Sequence, residues 1–193
     1  MTGWTPLRRF VTDVEAALDS GQDKAALLAR AEAAMADLVA SSEWLPPEFA
    51  QPDPAIYRQY LLYRDPASRF SVVSFVWGPG QKTPVHNHTV WGVIGQLIGS
   101  ETSQRYRRDA SGALIADGPS ETLRPGQVAS VAPFTCDIHR VENPSDTDKA
   151  ISIHAYGGDI GRIERHVFDP VTGQAKSFIS SYSNLDAPDI GTA

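Results

Sequence analysis

The feature that most constrains the fold is a change of period near residue 45. Up to about Ala40, apolar residues recur at three and four positions: Phe10, Val11, Val14, Ala17 and Leu18, then Leu27, Leu28, Ala31, Met35 and Leu38 after a break at Ser20-Gly21. This spacing predicts two amphipathic helices. Beyond Pro46-Pro47, Pro52 and Pro54 the chain changes to short runs of β-branched and aromatic residues bounded by Gly and Pro. The expected strands are 57–63, 70–77, 89–98, 103–106, 126–132, 139–142 and 150–156, with turns at 78–80, 109–112, 124–126 and 143–144. No helix-length segment separates successive strands, so a doubly wound parallel sheet is disfavoured. A mainly β sandwich, barrel or jelly roll is expected.

Composition excludes several classes of function. The 193 residues carry 17 Lys+Arg against 23 Asp+Glu, a formal net charge of -6, with no basic run. Nucleic acid and anionic membrane are therefore poor partners, because both are bound through positive charge. The longest mainly apolar stretch, 70–77, is too short for a membrane span, and the N-terminus lacks an apolar signal core. A cytoplasmic protein with a small-molecule ligand is expected. The single cysteine, Cys136, forms no intrachain disulfide and reads as a small buried or loop thiol. The length suits one domain with a sizeable core, at most two.

Two residue clusters can carry chemistry. In Pro84-Val85-His86-Asn87-His88 the histidines are two apart, so a strand would point both imidazoles one way and Asn87 the other. Such a pair is a two-ligand clamp for a metal, and His139, at the start of another expected strand, is a third candidate. A pair of surface or hydrogen-bonded histidines has the same spacing. In Ser152-Ile153-His154-Ala155-Tyr156 the polar members alternate, which lines hydroxyl, imidazole and phenol along one strand face. They can form a hydrogen-bonded chain there, although an exposed alternating strand reads the same way.

The larger pattern resembles the cupin superfamily. It comprises Gly80, five residues, His86-x-His88 and Gly99, then Pro125-Gly126, His139 and, with three residues between, Asn143. The resemblance implies a cupin double-stranded β-helix, a jelly-roll barrel with N-terminal α-helices. The chain, 1–193, would be a single cupin domain in which 1–45 covers one end of a barrel spanning 57–170. The superfamily's usual Glu, four or five residues after the second His, is replaced by Gly92 and Val93. A neutral facial set of three histidines would remain.

With the Ser152-x-His154-x-Tyr156 strand added, the chain from about 57 to 165 is similar to the thiol dioxygenases of the cysteine dioxygenase family, and within it to the bacterial branch acting on 3-mercaptopropionate. That resemblance implies Fe(II) held by His86, His88 and His139, with Ser152, His154 and Tyr156 as an outer-sphere catalytic network. The implied substrates are a small thiol and O2, combined into a sulfinate. Val93 stands where the mammalian-type enzymes carry a cysteine crosslinked to the tyrosine, so no thioether forms. Gln59 stands where the cysteine-type enzymes carry a carboxylate-binding Arg. Arg165, in a polar loop nine residues beyond Tyr156, matches the arginine of the 3-mercaptopropionate type, with Arg162, then Arg58 and Arg64, as weaker candidates. His166 reads as a surface or structural histidine. A zinc, nickel or manganese cupin isomerase or hydrolase would use the same histidines, but usually with a carboxylate ligand or acid–base pair. A small-ligand-binding cupin would not require the Ser-His-Tyr strand. The sequence leaves monomer or homo-oligomer open.

Overall fold

The computed structural model describes residues 3–133 and 137–191; Cys136 lies outside the described residues. Helices α1 (Thr5–Asp19) and α2 (Lys24–Leu38) come first, α1 opened by Pro6 and α2 capped by Asp23, whose side chain accepts the Ala26 N–H at 2.9 Å. Twelve strands follow among the described residues: β1 Arg58–Arg64, β2 Ser71–Trp77, β3 Val85–His86, β4 Gly92–Ile98, β5 Glu101–Arg108, β6 Leu114–Ala116, β7 Glu121–Leu123, β8 Val128–Val131, β9 His139–Glu142, β10 Ala150–Tyr156, β11 Arg165–Phe168 and β12 Ala175–Phe178. One sheet runs β1-β2-β10-β4-β8. The other runs β12-β11-β3-β9-β5-β6, with β7 also on β5. Every pairing is antiparallel, and the two sheets form the double-stranded β-helix of a mainly β fold.

Strands β2 and β10 are buried along their whole length, so both faces are covered. Period-2 alternation sorts their side chains. Val72, Val76, Ile151, Ile153 and Ala155 join a core with Leu7, Phe10, Val14, Met35 and Leu38 of the helices, whereas Val73, Phe75, Trp77 and Tyr156 pack in a second cluster. The helices therefore lie on the outer face of the five-stranded sheet and not over an end of the barrel. The reason is local: β4 offers Gly95, where a Cβ would meet the Met35 and Val39 side chains at 2.7 Å, so α2 settles directly on the sheet.

Three expectations need correction. The strand expected at 89–98 begins only at Gly92, because Thr89 adopts a left-handed conformation (φ 62) that a continuing strand forbids. Arg165 is not in a loop; it opens β11, which pairs with β3 and β12. The residue opposite Tyr156 is Gly92 and not Val93, which pairs with Ala155 and faces the helices. A Cβ at Gly92 would stand 3.0 Å from the Tyr156 ring, so the phenol lies against bare backbone.

Candidate metal centre

His86 and His139 face each other across the β3–β9 pair, and His88 reaches the same point from beyond the end of β3. The ring centroids are 4.8 to 4.9 Å apart, and one nitrogen from each ring lies within 4.8 Å of the others. Strand alternation does not place His88. Asp137 does: its carboxylate accepts the His88 N–H at 2.9 Å and the Thr89 N–H at 2.8 Å, and it binds His88 Nδ1 at 2.9 Å. These bonds hold Thr89 in its left-handed conformation and turn the imidazole inward.

Each ring is anchored through Nδ1. His86 Nδ1 donates to the Pro84 carbonyl at 3.0 Å, His88 Nδ1 meets Asp137, and His139 Nδ1 lies 3.0 Å from Ser103 Oγ. The three Nε2 atoms are left to converge, and that of His139 is buried with no hydrogen-bond partner among the described residues. Burial holds all three imidazoles below the ordinary histidine value, although Asp137 partly opposes the shift at His88. Neutral imidazoles with tethered far nitrogens and an orphaned lone pair are what a divalent transition metal requires. The donor set fits such an ion.

Beside this cluster, β10 aligns its polar residues into a chain. Ser152 Oγ lies 2.8 Å from His154 Nε2, and His154 Nδ1 lies 2.8 Å from the Tyr156 hydroxyl. Tyr156 stacks on His88 with centroids 5.4 Å apart, and burial pushes its pKa up, so it stays a phenol. Phe75 packs on His154 at 4.3 Å, and the Trp77 indole donates to Ser152 Oγ at 3.2 Å. Behind Ser152 stands Glu101, which accepts its hydroxyl at 2.6 Å.

A cavity of about 240 Å³ is lined by the three clustered histidines, His154 and Tyr156 on one hand and by Arg165 and Gln59 on the other. Arg165 is 3% exposed, bonded through Nη2 to Ser180 and stacked on Phe178 at 4.7 Å. Its Nε has no partner, and no carboxylate lies within ion-pair distance of it among the described residues. Asn87 braces this strand: its side chain accepts the His166 N–H at 2.8 Å, and its own N–H donates to the His166 carbonyl. The other arginines are engaged elsewhere. Arg58 pairs with Asp53, while Arg64 and the exposed Arg162 lie 2.8 and 3.4 Å from Asp159. His166 is half-buried beside Phe168, outside the histidine cluster.

Sequence reasoning missed Asp137, Ser103 and Glu101. Only Asp137 carried a signal, a carboxylate two positions before His139. Asn143, part of the second motif, has a structural role. Its amide donates to the carbonyls of Gly78 and Asp148, tying the turn after β2 to the loop before β10.

The sequence signature described as Cysteine dioxygenase type I matches residues 17–169. Cysteine dioxygenase type 1 of Rattus norvegicus is 31% identical over 129 residues, 62% of this chain and 62% of the rat protein. The Bos taurus protein of the same name is 26% identical over 138 residues, 66% of this chain and 67% of its own. The chain thus spans 62% of the length of the rat relative it matches. Among solved structures, that of TT1209 from Thermus thermophilus is 18% identical, with a TM-score of 0.45 over 58% of this chain and 92% of that one.

Proposed function

The chain belongs to the cysteine dioxygenase type I family, and from that premise we propose that it is a non-haem iron(II) thiol dioxygenase acting on a small thiol carboxylate, 3-mercaptopropionate ahead of L-cysteine. One observation carries this reading: a buried guanidinium without a carboxylate partner among the described residues lines the same cavity as three converging neutral imidazoles. Iron(II) held by Nε2 of His86, His88 and His139 supplies Lewis acidity toward the thiol and the redox chemistry that joins O2 to sulfur.

The chain's own groups do the rest. Three neutral ligands leave the ion's charge uncompensated, which favours an anionic sulfur donor. Arg165 grips the substrate carboxylate as a planar fork, its plane backed by Phe178 and its Nη2 fixed by Ser180. A carboxylate there relieves the buried charge, which burial disfavours. Gln59 adds a neutral amide to the same wall. No residue lining the cavity among the described ones is acidic, so an α-ammonium group finds no counter-charge. This disfavours L-cysteine and favours a thiol bearing only a carboxylate. Phe75, Trp77 and Ile94 add apolar surface to the lining of the cavity. The overall conversion adds both atoms of O2 to the thiol sulfur, gives the sulfinic acid and consumes no external reductant.

The test is a comparison of kcat/KM on iron-loaded protein. 3-Mercaptopropionate should exceed both L-cysteine and cysteamine. Arg165→Ala should raise KM for 3-mercaptopropionate by about 10- to 100-fold, the worth of a charged hydrogen-bond pair, without loss of iron stoichiometry. Cysteamine turned over as well as 3-mercaptopropionate, or an unchanged KM in the variant, contradicts the assignment.

A further inference from the structure

Glu101 opens β5 and is 3% exposed, and among the described residues no lysine or arginine pairs with it. Its Oε2 lies 2.6 Å from Ser152 Oγ and 3.7 Å from His154 Nε2. We propose that Glu101 is a positioning residue that sets the proton order along Ser152, His154 and Tyr156, and so presents the Tyr156 oxygen, not its proton, to the substrate thiol. The chemical consequence rests on the thiol dioxygenase reading; the proton order itself does not.

The order follows from donors and acceptors. Ser152 Oγ has three polar side-chain neighbours: Trp77 Nε1 at 3.2 Å, Glu101 Oε2 at 2.6 Å and His154 Nε2 at 2.8 Å. An indole N–H can only donate, a carboxylate can only accept, and the hydroxyl has one proton. The shortest contact takes that proton to Glu101. His154 Nε2 must then donate to Ser152, which leaves Nδ1 of the neutral ring bare. Tyr156, 2.8 Å from Nδ1, donates its hydroxyl proton there. The lone pairs of the phenol oxygen remain for the cavity that Tyr156 lines.

A thiol entering that cavity finds an acceptor. As its S–H proton passes to the Tyr156 oxygen, the phenol's own proton passes to His154 Nδ1. The products are a thiolate, a phenol again and an imidazolium whose Nε2 lies 3.7 Å from the Glu101 carboxylate. Glu101 thus occupies the place of the acidic partner in a hydrogen-bonded histidine relay, fixing the tautomer and balancing the charge.

The tautomer is measurable on the full chain loaded with zinc(II), a diamagnetic probe, from the side-chain nitrogen resonances of His154. The wild-type protein should carry the proton on Nε2. In Glu101→Leu the only remaining acceptor for Ser152 among these three neighbours is His154 Nε2, so the proton should appear on Nδ1. A wild-type protein protonated on Nδ1 overturns the proposal by itself, whether or not the variant folds, and so does an unchanged tautomer in a folded variant. These readouts need no turnover, so they stand apart from failure of the dioxygenase reading. With iron and 3-mercaptopropionate, Glu101→Gln should lower kcat about tenfold or more at nearly constant KM; a change confined to KM contradicts the positioning role.

Discussion

At the scale of single residues, the centre depends on groups that no motif announces. Asp137 holds His88 through its ring and backbone and Thr89 through its N–H, and it does so from two residues before His139, ahead of β9. Replacing it with Asn removes the charge while keeping the shape. Metal affinity of Asp137→Asn is expected to fall about 10- to 100-fold, measured by competition with a chelator; an unchanged Kd would show that the carboxylate orients nothing. The histidines themselves were legible, because His-x-His and a distant third His form a recognisable spacing. The way His88 reaches the centre was not, since period-2 alternation assumes a strand and the backbone leaves β geometry at Thr89. Glu101 was hidden for a different reason: a lone acidic residue at a strand start looks the same in sequence whether it faces solvent or Ser152.

At the scale of elements, β10 shows what alternation can reveal. Its bounds, 150–156, are legible in the sequence, and its two faces separate aliphatic residues for the helices from Ser152, His154 and Tyr156. Strands β11 and β12 were missed because His166, Lys176 and Ser177 interrupt any apolar period, and their short four-residue lengths give little signal. That omission put Arg165 in a loop, when pairing with β3 fixes it beside the histidine element. The helices were legible as helices, but their docking face depends on Gly95, whose missing side chain admits Met35. Met35 is fully buried, so Met35→Ala should cost about 2–4 kcal/mol of unfolding free energy in denaturant titrations while leaving metal stoichiometry intact. Loss of metal binding in a folded variant would instead tie α2 to the centre.

At the scale of the whole molecule, three neutral buried imidazoles make stability depend on pH. In the folded metal-free chain His86, His88 and His139 titrate below 6.5, whereas in the unfolded chain they titrate near that value. Below it the unfolded state binds more protons, so unfolding free energy rises with pH through this region and falls as pH drops. The Tm of the metal-free protein should therefore decline from neutral pH to about pH 5, before Asp53, Asp65, Asp109 and Asp169, whose values lie below 3.8, contribute. A flat profile would mean that the histidines are open to water. Among the described residues no helix is long and apolar enough to cross a membrane, and the site is enclosed by the two sheets of the barrel. The most direct measurement of its chemistry is oxygen uptake by iron(II)-loaded protein given 3-mercaptopropionate, with the product analysed by mass spectrometry. One O2 consumed per thiol, with a product heavier by two oxygen atoms, is the expected result; a protein that binds one iron yet consumes no oxygen with 3-mercaptopropionate, L-cysteine or cysteamine would contradict it.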